Sequence, residues 1–240
     1  MFVATGFFGE QPFVPIDPST IAGMLSWHDL SDSGTVTLSG TAIVSVSDKS
    51  GNSKTLSGYN SPQYITAGKN GLNVARTNGS NLLQALSLGL NRQSASVYWV
   101  GKIVTASSPY KSYMGIGGAG IGNVLFHATN SGSGLGITQP SQNLVQNTNG
   151  NTSYSVFRVT MDTGYAMRFD RYVDSQSAST TLSSTSNTPT KTSFGGSYNT
   201  SDTETDFLPC EFGEILMYDN ILSTSDDADL VVYLKNKWNV

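Results

Sequence analysis

One stretch, "STSDDADLVVYLKNKWNV" at 223–240, reads as a helix, and nearly everything before it reads as strand or turn. Ser223, Thr224 or Ser225 can cap the first free N–H groups. Asp226 and Asp227 suit the positive N-terminus of a helix, and Lys235 and Lys237 its negative C-terminus. Leu230, Leu234 and Trp238 recur every four residues, with Val231 beside them, and so give one apolar stripe. A lone amphipathic helix must bury that stripe against something. Here the only partner the sequence supplies is a β body.

Candidate strands lie at 22–28, 42–46, 63–66, 72–76, 95–104, 122–128, 154–162, 165–173 and 210–219. In "ASVYWVGKIV" (95–104), Val97, Trp99 and Gly101 share one face, and Tyr98, Val100 and Lys102 the other. Both faces carry bulky side chains, which predicts a central strand. The segments "SYSVFRVTMD" and "YAMRFDRYVD" flank Thr163-Gly164 and predict an antiparallel hairpin. Residues 174–193 read as a polar connector with one weak strand. Charged residues are only 12%, and Ser, Thr, Asn and Gly stand in their place, as suits strands joined by polar turns.

The net charge of −4 and the lack of any Lys/Arg cluster in the sequence argue against a nucleic-acid binder. No apolar run approaches the length of a membrane-spanning helix. The single cysteine, Cys210, excludes an internal disulfide and reads as a small buried hydrophobe beside Phe212. The opening "MFVATGFFGEQPFVPIDPST" has neither the basic start nor the continuous apolar run of a signal peptide. Its Phe2, Phe7, Phe8 and Phe13, spaced by Gly and Pro, predict an extended docking arm over 1–19 ahead of a domain at 20–240.

Four blocks carry a family resemblance: "IAGMLSWHDLSD" (21–32), "SDKSGN" (47–52), "LNVARTNGSNLL" (72–83) and "FGEILMYDNILSTSDDADLVVYLKNKWNV" (212–240). In this order they resemble the laminin-G-like, concanavalin A-like lectin/glucanase domains found in phage virion and bacterial surface proteins. The resemblance implies an all-β, two-sheet antiparallel jelly-roll sandwich. It does not fix function, since that fold serves lectins, hydrolases and structural modules.

Glucanases of this class carry E-x-D-x-x-E on one strand, with the two glutamates about 5–5.5 Å apart for the retaining mechanism. Around "EFGEILMYDN" (211–220) the pattern fails: starting at Glu211 finds Gly213 and Leu216, and starting at Glu214 finds Leu216 and Asp219. Strict strand alternation also sends Glu211 and Glu214 to opposite faces, unless Gly213 hosts a bulge. Glu214 then reads as a structural hydrogen-bond acceptor and Trp238 as the helix anchor. The stretch "GIGGAG" (115–120) precedes a strand, not a helix, and so is no dinucleotide loop. His28 and His127 are the only histidines.

Asp48 and Asn52 in "SDKSGN" are candidates for a calcium ion, or for turn chemistry without one. Exposed aromatics beside polar groups suit a glycan. Tyr110, Lys111 and Tyr113 in "SSPYKSYMG" and Tyr198 in "GGSYNTSDTETD" are the candidates, ahead of Tyr59 and Tyr64.

The combined expectation is a non-catalytic structural or decoration protein on the surface of a phage capsid or tail. Its partners would be other virion proteins, its own copies in a homo-oligomer such as a trimer, and host surface glycans. No cofactor other than calcium is expected. A bacterial carbohydrate-binding module or lectin is the alternative, and a glucan hydrolase the remote one.

Overall fold

The computed structural model describes residues 16–86, 88, 90, 93–105, 111–117, 124–128, 135–139, 142–146, 152–172, 174–181, 191–199 and 203–240. Within them the chain is all-β with one α-helix, α1 (Thr224–Trp238). The first strands are β1 (Met24–Asp29), β2 (Val36–Ser39), β3 (Ala42–Val46), β4 (Leu56–Tyr59), β5 (Gln63–Lys69), β6 (Leu72–Arg76) and β7 (Leu82–Leu86). Next come β8 (Ala95–Ile103), β9 (Lys111–Gly117), β10 (Val124–Ala128), β11 (Leu135–Gln139), β12 (Gln142–Gln146), β13 (Ser155–Asp162) and β14 (Ala166–Arg171). The last are β15 (Gln176–Thr181), β16 (Lys191–Phe194), β17 (Ser197–Tyr198), β18 (Glu204–Thr205) and β19 (Cys210–Tyr218).

One antiparallel sheet takes in 17 strands, while β17 and β18 form a ribbon of their own. One wall of the sheet runs β15–β14–β13–β8–β19. Beyond β19 its partner changes: β6 pairs with Glu211 and Phe212, and β1 pairs from Glu214 to Tyr218. The other wall runs β2–β3–β4–β7–β16–β9–β10–β11–β12. The walls join where Ala42 of β3 stands opposite Gln63 of β5. Across the molecule β11 and β12 come up against β15. The result is a single, nearly closed, barrel-like sheet, where the sequence reading has two separate ones.

Alternation along the strands builds two cores. The larger lies inside the wall and centres on Trp99, Tyr113, Phe157, Phe169, Phe194 and Phe212. Trp99 stacks on Phe157 at 5.3 Å, and Tyr113 meets Phe212 edge-on at 5.6 Å. The smaller core lies outside the wall, where α1 sets Leu230, Val231, Leu234 and Trp238 on Tyr98, Val100, Val156, Leu216 and Tyr218. Each such side chain contributes about 1.5–3 kcal/mol on burial. β8 is thus buried on both faces, which explains why bulky residues, Val97 to Val100, follow one another along it. The Ser223 side chain caps α1 by accepting from Asp226 N–H, and left-handed Asn239 ends it.

Phe2, Phe7, Phe8 and Phe13 lie outside the described residues. Ile16 and Pro18, the first described part of the segment expected as an arm, contact their own chain. Ile16 packs into the helix-side core, and the Tyr218 hydroxyl donates to the Pro18 carbonyl at 3.3 Å.

Candidate functional site

The strand β19 is irregular at its centre. Opposite β8 its register slips between Phe212 and Glu214, so Gly213 is the extra residue of a bulge. Cys210 and Phe212 before the slip, and Ile215 and Met217 after it, all face the inner core. Glu211 and Glu214 therefore share the outer face, and the strict alternation that sends them apart does not apply.

Each glutamate is buried and fully engaged. Glu214 Oε1 accepts from Trp27 Nε1 at 2.7 Å and the Tyr233 hydroxyl at 3.0 Å. Its Oε2 accepts from Trp238 Nε1 at 2.9 Å and Lys237 Nζ at 2.8 Å. Lys237 also pairs with Asp29 at 2.9 Å, and Lys49 bridges Asp29 and Asp32 at 3.2 and 3.0 Å. This network fastens β1, β19 and the end of α1 together.

Glu211 sits at the other side of the bulge. Arg76 Nε donates to its Oε1 at 2.7 Å, with Arg76 Nη2 on the same oxygen, and the Tyr154 hydroxyl and Lys102 Nζ (3.2 Å) reach Oε2. Burial pushes this carboxyl up, but the hydrogen bonds from Tyr154 and Arg76 and the charge of Lys102 outweigh it and hold it below its ordinary range. Lys69 and Lys102 both lie over the Tyr154 ring, at 5.7 and 4.9 Å.

A cleft of about 450 Å³ opens between the outer face of β13–β15 and the turn into α1. Thr160, Arg168 and Ser179 stand opposite one another across the three strands, with Asp162 and Thr181 in the next row and Ile221 on the far wall. The Arg168 side chain is 54% exposed, yet it is fixed. Its Nε donates to Asp170 Oδ1 at 2.7 Å. Asp170 is in turn gripped by Arg158 at 2.7 Å, and Arg158 pairs with Asp227 of α1 at 2.8 Å. The first turn of the helix thus positions the guanidinium through two relays, and its terminal N–H groups have no partner among the described residues. Hydroxyls, a guanidinium, a carboxylate and one exposed aliphatic side chain can hydrogen-bond the rim of a sugar ring and cover its C–H face.

The residues singled out from sequence land elsewhere. Tyr113 is in the inner core at 1% exposure, because the polar stretch "SSPYKSYMG" runs into strand β9. Tyr198 is also 1% exposed; its hydroxyl donates to Gln84 Oε1 at 2.8 Å, and Lys191 lies over its ring. Neither ring is an open platform, which corrects the sequence reading. Lys111 opens β9 half-buried, and Tyr110 lies outside the described residues. Tyr59 stacks on Phe207, and the Tyr64 hydroxyl donates to the Leu30 carbonyl.

Asp48 spends both oxygens on the turn. Oδ1 accepts from Trp27 N–H and Ser50 N–H, and Oδ2 from Lys54 N–H and the Ser50 hydroxyl, all within 3.0 Å. Asn52 donates its amide to the Met24 and Leu25 carbonyls. These hydrogen bonds are the turn chemistry that the sequence allows at Asp48 and Asn52.

Arg168 and Arg158 escaped notice, although a signal exists. In "YAMRFDRYVD" Arg168, Asp170 and Tyr172 fall on alternate positions, the mark of a polar outward face.

No protein-family model and no curated protein matches the chain. Solved structures do. One is a mutant of Trypanosoma rangeli sialidase displaying trans-sialidase activity, at 10% identity and a TM-score of 0.65, over 90% of this chain and 33% of that one. Another is Domain 4 of AbnA, a GH43 extracellular arabinanase from Geobacillus stearothermophilus, in complex with arabinotriose. It is 14% identical with a TM-score of 0.64, over 88% of this chain and 99% of that one. A third concerns botulinum neurotoxin type C, whose cell entry is dependent upon interaction with two ganglioside molecules, at 11% identity and a TM-score of 0.58, over 83% of this chain and 50% of that one. At such identities the likeness establishes an all-β fold, and the chain spans about a third of the length of the sialidases it matches.

These matches overturn the expectation of a chain without catalysis. Two of the three, the sialidase and the arabinanase domain, come from glycoside hydrolases, so the fold does not hold the chain to a non-catalytic role.

Proposed function

We propose that the chain is a carbohydrate-interacting domain of a glycan-acting or glycan-recognising protein, and that the sugar lies in the cleft of Arg168. The observation that carries this reading is the cleft itself: a fixed guanidinium among Thr160, Asp162, Ser179 and Thr181, with Ile221 opposite. Support comes from the arabinanase domain, which matches over nearly its whole length and is in complex with arabinotriose. The neurotoxin match, to a ganglioside-dependent protein, points to the same ligand class. We read the barrel-like sheet as a curved jelly roll whose two walls share the inner core.

A glycan array holding arabinan, sialylated and neutral oligosaccharides tests the reading. Binding is expected, and Arg168→Ala and Ser179→Trp should each weaken it about tenfold or more. Product release from the glycans that bind, followed by a reducing-end assay, tests turnover. Binding that neither variant alters would place the site elsewhere, and an empty array would overturn the function.

A virion setting is a second reading, resting on the run of Phe2, Phe7, Phe8 and Phe13 ahead of the domain in the sequence. Removing residues 1–15 should then abolish incorporation into a particle, or assembly with the chain's own copies, while the domain stays folded. Unchanged assembly would sink it.

A further inference from the structure

We propose that Lys69, Arg76 and Lys102, gathered round Tyr154, form a second site, which takes the spaced anionic groups of an acidic polysaccharide. The site is separate from the cleft. Thr160 at the cleft stands opposite Ser96 near the start of β8, whereas Lys102 is near its end. At about 3.3 Å per residue the two lie roughly 20 Å apart.

Charge is the first argument. The chain as a whole is at −4, yet Arg76 and Lys102 converge here on one carboxylate, Glu211, and Lys69 lies over the Tyr154 ring beside it. That carboxylate is 1% exposed, and both its oxygens are taken. A ligand therefore meets the cations: the Arg76 side chain is 41% exposed and that of Lys102 28%. The excess of two positive charges attracts anions over about a Debye length, 8–10 Å at ordinary salt.

Order is the second argument. Arg and Lys side chains normally lose much rotamer freedom when they bind a ligand. Here Glu211 already holds Arg76 and Lys102, and the Tyr154 ring holds Lys69 and Lys102. Glu211 thus aligns the cations more than it neutralises them. Arg76 spends Nε and Nη2 on Glu211 and keeps Nη1 for an outside anion. The three cations project from three different strands, Lys69 from β5, Arg76 from β6 and Lys102 from β8, and so offer separate contacts along a chain-like ligand. Several anions on one polymer can meet them together, and each adds to the effective concentration of the next.

The test is binding of the intact chain to polygalacturonate, dextran sulfate and uncharged dextran, each at low and high salt. Binding to either charged polymer, lost on adding salt and absent with dextran, is the expected result. The first arm reports carboxylates as the natural ligand and the second sulfates. Arg76→Gln with Lys102→Gln should weaken it about tenfold or more. Since that pair also strips Glu211 of partners, Lys69→Gln is the cleaner probe, because Lys69 forms no ion pair with Glu211; it should weaken binding severalfold in a protein of unchanged stability. Arg168→Ala should leave this binding intact, which separates failure here from failure of the cleft. Equal binding to dextran, indifference to Lys69→Gln, or preference for a DNA oligonucleotide over both charged polymers would each overturn the proposal.

Discussion

Gly213 and Trp238 are in direct contact: a β-carbon built on Gly213 would fall 2.5 Å from Cη2 of the indole, with two further ring atoms within 2.7 Å. The bulge of β19 and the last turn of α1 are therefore fitted to one another. Gly213→Ala must push the indole away, at a cost of about 1–3 kcal/mol for overpacking. Urea unfolding should register that loss. In a double-mutant cycle with Trp238→Leu the two losses should not add, since the smaller side chain relieves the clash.

Glu214 is the acceptor on which this corner depends. Glu214→Ala leaves Lys237 and the indole N–H groups of Trp27 and Trp238 without their oxygen, and should cost about 3–5 kcal/mol. Glu214→Gln keeps one acceptor oxygen and should cost clearly less. Lys237→Met should cost less again, because three neutral donors still serve the carboxylate. Denaturant midpoints for the three variants check this order, and a reversed order would remove Glu214 from the centre of the network.

The terminal unit was legible because every signal in it is local: the Ser223 cap, the placement of charge, and an apolar stripe at four-residue spacing. The hairpin at Gly164, where φ is +76°, was legible for the same reason. What could not be read depends on distant neighbours. Gly213 in a strand signals either a bulge or a close approach, and only Trp238 above it makes both true. The polar run "SSPYKSYMG" reads as a loop, yet 111–117 is β9, and Gly115 is there because Ser197 of the overlying ribbon comes so near that a β-carbon would sit 2.8 Å away. That misreading put Tyr113 on the surface. The cleft was missed because Ile221 and Arg168 are far apart in sequence and meet only when α1 lies down on the sheet.

Cys210 should be chemically silent in the folded chain. It is fully buried, and burial pushes its thiol up, with the hydrogen bond between it and the Thr77 hydroxyl opposing only in part. Reaction with a thiol reagent such as 5,5′-dithiobis(2-nitrobenzoate) should be negligible in native buffer and complete in denaturant. Fast native labelling would mean that the β6–β19 seam opens readily.

Acid should weaken the fold in two stages, and the first belongs to His28. Its ring is buried on β1, and loss of solvent drives its pKa from 6.5 to about 4 against the opposite pull of the Asp48 carboxylate. The unfolded chain therefore takes up a proton near pH 6.5 that the folded chain refuses until about pH 4. Stability from this residue is fully present above pH 6.5 and is lost as pH falls toward 4, by about 3 kcal/mol if no other group compensates. The second stage belongs to the carboxylates. Asp29, Asp48 and Glu211 are all held below their ordinary range, against the effect of burial. Lys237 and Ser31 hold down Asp29, backbone N–H groups Asp48, and Tyr154 and Arg76 Glu211. Their contribution is intact above the unfolded carboxylate pKa of about 4 and disappears below it. His28→Leu separates the stages. Its urea midpoint should stay nearly flat from pH 6.5 to 4, where the parent chain declines, and should fall with the parent only below pH 4. A variant that declines as steeply as the parent between 6.5 and 4 would show that the buried imidazole is not the group that titrates.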